Sequence, residues 1–402
     1  MNKTLIFLLA TIVLDAVGIG LIVPIVPELI KELGGLSISD AAVYGGLMTA
    51  LFSVAQFVAT PILGSLSDAL GRRPLLLISL FAFGLNYIIL AFAPTLPWLF
   101  LGQFLAGLFS ATPAIASAYI ADIVPPEKRA KYFGMLGAAF GFGFMIGPVL
   151  SGLVATIDIR APFFLAAALV LTNVAYGFFI LPETLSKDQR KRFSLARANL
   201  WGAIRHYRQY PNVLLLIWAY LAIQLALQTI VVIWPYFTSF SFGWGAKMVG
   251  ISLGFFGVMN IINQGFLVGR LVDSYGERNT SQFALSLFVV GLIGYGFVSD
   301  AVWLFIITVP VTVGLMSMGS INGFISRQIP VTEQGGVQGL ITGLNSLAAI
   351  VAPLTIPRIF QATTSDPATA MPGAVFFIGT FFALLAMVLI NRTQPARPSN
   401  LT

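Results

Sequence analysis

The chain has no cysteine, which excludes disulfides, thiolate metal sites and cysteine nucleophiles. Its one histidine, His206, lies among Arg205, Tyr207 and Arg208 in a polar stretch, so a histidine-based metal cluster is excluded as well. Charge is scarce at 9% of residues, where a soluble domain carries about 25%. Clustered His, Asp, Glu or Ser/Lys chemistry inside apolar sequence is missing too, which argues against a membrane-embedded enzyme; no cofactor is expected. What the chain has is apolar surface, 57% of 402 residues. Such a balance takes lipid as its main solvent, and the net charge of +7 is then no sign of nucleic-acid affinity.

A spanning helix needs about 20 mostly apolar residues. That ruler marks twelve spans, near 5–27, 43–65, 74–93, 97–120, 131–153, 162–181, 213–236, 248–270, 281–298, 302–325, 336–357 and 373–391. The start resembles a signal peptide, but the apolar run continues past Asp15 to Pro27 without a small-residue cleavage site, so it reads as a retained first span. The one long polar interval, 183–211, separates six spans from six. It divides the chain into residues 1–182, a linker over 183–211 with a surface helix expected around Leu195 to Tyr207, and residues 212–402. Loops on one side hold 18 of the 22 lysines and arginines. The positive-inside rule then places both termini and the linker in the cytoplasm.

One short loop occurs twice. Gly64-Ser65-Leu66-Ser67-Asp68-Ala69-Leu70-Gly71-Arg72-Arg73 is followed 205 positions later by Gly269-Arg270-Leu271-Val272-Asp273-Ser274-Tyr275-Gly276-Glu277-Arg278. Five of ten positions match, and the same offset pairs Gly45 with Gly250, Gly134 with Gly339 and Pro148 with Pro353. Two parallel six-span halves with a midplane site between them are a recurring transporter plan. A transporter is therefore expected, ahead of a receptor or a membrane protein that signals without transporting.

The loop at Gly64 resembles the signature between spans two and three of the major facilitator superfamily. The run Gly134, Gly143, Gly147-Pro148 and Ser151-Gly152 resembles its span-five antiporter motif, with Ser151 where glycine is usual. The opening Leu14-Asp15-Ala16-Val17-Gly18-Ile19-Gly20 through Pro27, Gln56 and Phe242-Gly243-Trp244 are similar to the tetracycline-efflux branch. The resemblance implies an all-α membrane protein of the major facilitator fold, twelve transmembrane helices in two pseudo-symmetric six-helix bundles. It also implies a gate at the cytoplasmic side made by Gly64, Asp68, Gly71, Arg72, Arg73, Asp122, Asp273 and Arg278. There Asp68 would cap a helix of the other half and Arg72 would pair with a carboxylate such as Asp122. Ala69 stands where the family usually has arginine. Gly134, Gly143, Gly147, Pro148 and Gly152 would form a tightly packed, kinked helix; Gly143 and Gly147 are a small-residue pair at i, i+4, and Pro148 removes a backbone donor.

Ionisable residues inside spans are functional candidates by default. Of fifteen acidic residues only Asp15 lies well inside an apolar run; a carboxyl there can carry a proton or meet a cationic substrate. The branch has charged residues where this chain has Asn86, Gln103 and Asn260, and a carboxylate in span nine where this chain has none. Proton coupling then falls to Asp15, or to carboxylates at the cytoplasmic edge. The expected substrate path is lined by Asp15, Gln56, Asn86, Tyr87, Gln103, Gln224, Gln228, Asn260, Gln264 and Asn345, since lipid cannot satisfy amides. Mostly apolar walls with a few placed amides suit an amphipathic, drug-like organic compound, and the absence of lysine or arginine at mid-span argues against anionic solutes. The expectation is an exporter of the inner membrane, monomeric, with protons as counter-ion. The rival is an importer or facilitator of a metabolite or siderophore with little proton coupling.

Overall fold

A computed structural model describes residues 3–185, 188, 190, 205–207, 209–330 and 333–393. Most of the linker, including nearly all of the expected surface helix at 195–207, lies outside the described residues. The protein is a multi-pass, all-helical membrane protein. Water is missing from the bilayer core, so each span must satisfy its own backbone, and helices do so.

Among the described residues eleven helical stretches are long and apolar enough to cross a membrane. The longest of them, Ala246–Phe297, holds expected spans eight and nine, which meet at a sharp break at Gly276 (φ 76°, ψ 163°). The helices are α1 (Lys3–Ile22), α2 (Val26–Gly34), α3 (Ile38–Leu70), α4 (Arg72–Ala91), α5 (Leu96–Phe109), α6 (Thr112–Ile123), α7 (Pro126–Val154) and α8 (Ala161–Ile180). They continue with α9 (Pro211–Phe242), α10 (Ala246–Ile262), a π-helical turn (Asn263–Leu267), α11 (Val268–Phe297), α12 (Ala301–Gly314), α13 (Met316–Ser326), α14 (Gln334–Thr364) and α15 (Ala374–Asn391).

The repeat seen in the sequence is also a repeat of backbone irregularities. Gly71 breaks α3 from α4 with φ 112°, and Gly276, at the same offset, interrupts α11 with φ 76°. Both lie where a Cβ is disfavoured. A second irregularity recurs as well: α5 and α12 each run for 14 residues, start and stop at matching positions, and give way to a second helix after Phe109 and Gly314. Expected spans four and ten are thus each two short helices with a break in the middle.

Contacts gather the chain into two compact units, Met1–Ala198 with Trp244–Gly257, and Asn199–Gly243 with Val258–Thr402. In the first, α1 packs on α7 and α8, α3 on α5, and α4 on α8; Phe7, Leu8, Tyr87, Tyr119 and Phe163 are fully buried there. In the second, α9 packs on α14 and α15, and α11 on α12, α13 and α15. Its core is aromatic: Trp234 lies 5.2 Å from Tyr295, Tyr295 lies 5.3 Å from Phe376, and Phe237 lies 4.9 Å from Phe376. Trp234 therefore belongs to the core, whereas Trp218 on the same helix is exposed as an interfacial anchor would be.

Candidate functional site

The repeated loop builds a compact charge cluster in the first unit. Arg72, whose side chain is 11% exposed, pairs with Asp68 one turn earlier at 2.5 Å and with Asp122 at 3.1 Å. Its Nη1 also donates to Ser67 Oγ at 3.1 Å. Three acceptors on two helices fix the guanidinium, and Asp122 takes a further hydrogen bond from Thr184 at 3.3 Å. Arg73 points elsewhere, donating to the Phe178 carbonyl at 2.6 Å with its guanidinium 5.6 Å from the Phe178 ring.

The group that caps a helix start here is Glu183, which the sequence did not single out for this role. Its carboxylate accepts from the backbone N–H of Arg72 at 3.0 Å and of Arg73 at 3.3 Å, the first two residues of α4, and from Thr184 and Leu185 at 3.0 Å each. A carboxylate at a helix N-terminus satisfies orphan donors and meets the positive end of the dipole. A Cβ at Gly71 would collide with this carboxylate, so glycine serves both the backbone turn and the close approach.

In the second unit the loop is braced by the same scheme with its signs reversed. The 205-residue offset carries Arg72 to Glu277 and Asp122 to Arg327, and Arg327 pairs with Glu277 at 2.7 Å. Arg278 donates to the Asn391 carbonyl at the end of α15 at 2.9 Å, as Arg73 does to the end of α8. Asp273 and Tyr275 are exposed. The Arg129 guanidinium closes α6 by donating to the carbonyls of Ala121 at 2.7 Å and Val124 at 3.1 Å.

The span-five glycines let α7 touch backbone on two sides. Toward α1, a Cβ on Gly147 would fall 2.7 Å from the Val17 carbonyl and 2.8 Å from Gly20 Cα, and one on Gly143 would fall 2.8 Å from Ala16 Cβ. Ser151, where glycine is usual, puts its hydroxyl on the Leu21 carbonyl at 2.5 Å. Toward residues 244–257, a Cβ on Gly152 would fall 2.9 Å from Lys247 Cα, and one on Gly250 would strike the Pro148 carbonyl. Glu28 on α2 accepts from the Ala246 N–H at 3.1 Å, at the start of α10. Gly64 and Gly134 make no such approach; a Cβ on either would meet nothing within 4 Å among the described residues.

The polar residues at depth fall into two groups, one in each unit. In the first, Asp15 is 5% exposed and Asn86 2% exposed. Among the described residues neither atom of the Asn86 amide has a hydrogen-bond partner, nor has the buried Tyr87 hydroxyl. A Cβ on Gly18, one turn from Asp15, would lie 2.5 Å from Tyr87 Oη, and Asp15 and Tyr87 interact electrostatically. Gln56 donates to Ser110 Oγ at 2.7 Å, at the break between α5 and α6. Gln103 is half-buried on α5. In the second unit Gln228 is buried, Gln224 and Asn260 are half-buried, and Gln264 is exposed. Asn345 interacts with Tyr220, and the Oδ1 atoms of Asn260 and Asn345 are buried with no partner among the described residues. Beside Gln264, the buried Asn263 donates from Nδ2 to Thr312 Oγ1 at 3.0 Å.

Outside the spans, His206 Nε2 lies 3.0 Å from a Glu333 oxygen, and the Tyr207 hydroxyl donates to the Glu333 carbonyl at 3.1 Å. Burial, reinforced by Glu333, pushes the Tyr207 phenol up, so it stays a neutral donor. This cluster ties the end of the linker to the start of α14.

The sequence pattern of the Major Facilitator Superfamily matches residues 8–353. The chain is 34% identical to tetracycline resistance protein, class C, of Escherichia coli, covering 99% of each protein. It is 27% identical to multidrug resistance protein 2 of Bacillus subtilis (strain 168), covering 86% of this chain and 85% of that protein. Among solved structures a D-xylose-proton symporter superposes with a TM-score of 0.79 at 17% identity, covering 98% of this chain and 99% of the other.

Proposed function

The chain belongs to the Major Facilitator Superfamily, and from that premise we propose that it exports amphipathic, drug-like organic compounds by alternating access, with protons moving in exchange through Asp15. The observation that carries this reading is the setting of Asp15, a buried carboxyl beside Tyr87 on a helix packed backbone to backbone against α7. The resistance names of its near-full-length relatives support export over uptake.

The roles divide by chemistry. Asp15 takes up and releases the proton. Asn86, Tyr87, Gln56 and Gln103 from one half, and Gln224, Gln228, Asn260, Gln264 and Asn345 from the other, offer amides and hydroxyls to the substrate within mostly apolar walls. Orphaned buried atoms on Asn86, Tyr87, Asn260 and Asn345 support that role, because an unsatisfied buried polar atom costs about 1–3 kcal/mol until something pairs with it. The loop braces Asp68–Arg72–Asp122 and Glu277–Arg327, with Asp273 and Arg278 beside the second, hold the cytoplasmic ends of two six-helix bundles, 1–182 and 212–402, joined by the linker. Placement of lysine and arginine supports an inner-membrane orientation with both termini cytoplasmic, and the transporter is taken to work as a monomer.

Everted membrane vesicles test the proposal. With an imposed proton gradient, acid inside, they should take up tetracycline or a lipophilic cation, stop when an uncoupler is added, and lose the gradient-driven part in Asp15→Asn. Uptake that ignores both uncoupler and mutation refutes the proton exchange.

A further inference from the structure

Two irregular segments of the second unit are joined by one hydrogen bond. The first is the π turn Asn263–Leu267, where the Val268 N–H reaches the Asn263 carbonyl five residues back. π turns are rare, occur as single-turn insertions in α-helices and are frequent at functional sites, where the extra residue re-aims the side chains around it. The second is the break between α12 and α13. Thr312 lies in the last turn before it, fully buried, and donates its own proton to the Val309 carbonyl at 2.9 Å. Its lone pair accepts from Asn263 Nδ2 at 3.0 Å. Asn263 is 5% exposed, while its neighbour Gln264 is exposed. The Gln264 carbonyl oxygen faces α13 just past the break, 3.9 Å from where a Cβ on Gly319 would be. One turn back, the Asn260 Oδ1 is buried with no donor among the described residues.

We infer that Asn263 and Thr312 are a positioning pair that holds the π turn, so that Gln264 and Asn260 present their carbonyl oxygens to a substrate carrying hydrogen-bond donors, such as hydroxyl, amide or ammonium groups on an apolar frame. The inference rests on the transport reading above. An unpaired Asn263 amide would cost free energy wherever it stayed buried, so the partner fixes which residue of the turn faces inward. The first unit has an analogous link, since Gln56 of α3 donates to Ser110 at the break between α5 and α6. An amide from one span holding a hydroxyl at the break of another is therefore a device used in both halves.

The chain has no cysteine, which makes the test clean. Gln264→Cys is introduced with Thr312 native, changed to Val, or changed to Ser, and its labelling rate with a hydrophilic maleimide is measured. In parallel, with Gln264 native, tetracycline uptake kinetics are measured for Thr312→Val and Thr312→Ser. Thr312→Val keeps the volume but removes the acceptor. It should change the labelling rate and raise KM about fivefold, the equivalent of one ordinary hydrogen bond, with maximal rate within about twofold. Thr312→Ser should restore both. Unchanged labelling in Thr312→Val overturns the positioning pair, and so does an unchanged KM in a variant whose labelling has moved. If the protein moves no tetracycline, the transport reading has failed for that compound, and the labelling result still decides whether the pair holds Gln264.

Discussion

Replacing Asp122 by Asn keeps the side-chain size and removes the charge opposite Arg72. The Arg72 side chain is 11% exposed, so water cannot make good the lost charge, and Asp68 at 2.5 Å is left as its counter-charge. Removing one partner of a buried pair costs about 3–5 kcal/mol, and the retained amide oxygen and Asp68 offset part of it. Taking about 2 kcal/mol, the equilibrium that the brace supports shifts about thirtyfold. The second unit supplies the internal control. Glu277→Gln breaks a pair of the same design, in which the carboxylate is 13% exposed but the Arg327 side chain is 67% exposed. Water and salt screen such a pair, and the expected loss is at most about 1 kcal/mol. The assay is a double-mutant cycle in each half, Asp122→Asn with Arg72→Gln and Glu277→Gln with Arg327→Gln, read from the midpoint of SDS-driven unfolding in mixed micelles. The coupling energy isolates the pair from the side effects of each substitution. The first cycle should give the larger coupling, and the second should shrink further at high salt. Equal couplings, or a larger one for Glu277 with Arg327, would show that burial is not what decides the strength of these braces.

Other outcomes follow from the same geometry. Gly147→Val should destabilise by about 1–3 kcal/mol, as overpacking does, because its Cβ would fall 2.7 Å from the Val17 carbonyl, whereas Gly134→Ala should leave thermal stability in detergent nearly unchanged. Glu28→Gln removes a carboxylate from the first turn of α10 and should weaken that contact by about 0.3–1 kcal/mol, seen as faster maleimide labelling of an introduced Lys247→Cys. Tyr207→Phe loses the hydrogen bond to Glu333 and should lower thermal stability by about 1 kcal/mol; a variant as stable as the parent refutes the anchoring of the linker end to α14.

The parts of the fold that could be read from sequence were those governed by composition and repetition. Hydropathy gave the spans, and the 205-residue offset gave the relation between halves. The offset held more than was taken from it. Asp122 and Arg327 are related by it, and the exchange of signs with Arg72 and Glu277 was there to be found. The break between spans eight and nine was legible too, because Gly276 repeats Gly71 at the same offset. Glu183 was out of reach of pattern reading: its partners lie 110 and 111 positions away and are backbone N–H groups, which carry no side-chain signature. The π turn was hidden for a related reason. Asn260 and Gln264 look like an ordinary i, i+4 pair, and the extra residue that turns Asn263 inward leaves no mark in an apolar helix. Thr312 reads as one more small residue in a span until Asn263 is seen against it.

The reversed pair also carries a history. If the halves descend from one duplicated ancestor, one half exchanged both charges of its brace, and a direct exchange, one charge at a time, passes through a form with like charges face to face. In a dry setting that form would be severely penalised, but for two charges about 4 Å apart in water the repulsion is about 1 kcal/mol. Arg327 stands mostly in water and Arg72 does not. The exchange therefore had an easy route through the second half and a hard one through the first, where Asp68 also depends on the sign of Arg72. A descendant of this chain would be expected to vary at 277 and 327 together long before it varied at 72 and 122.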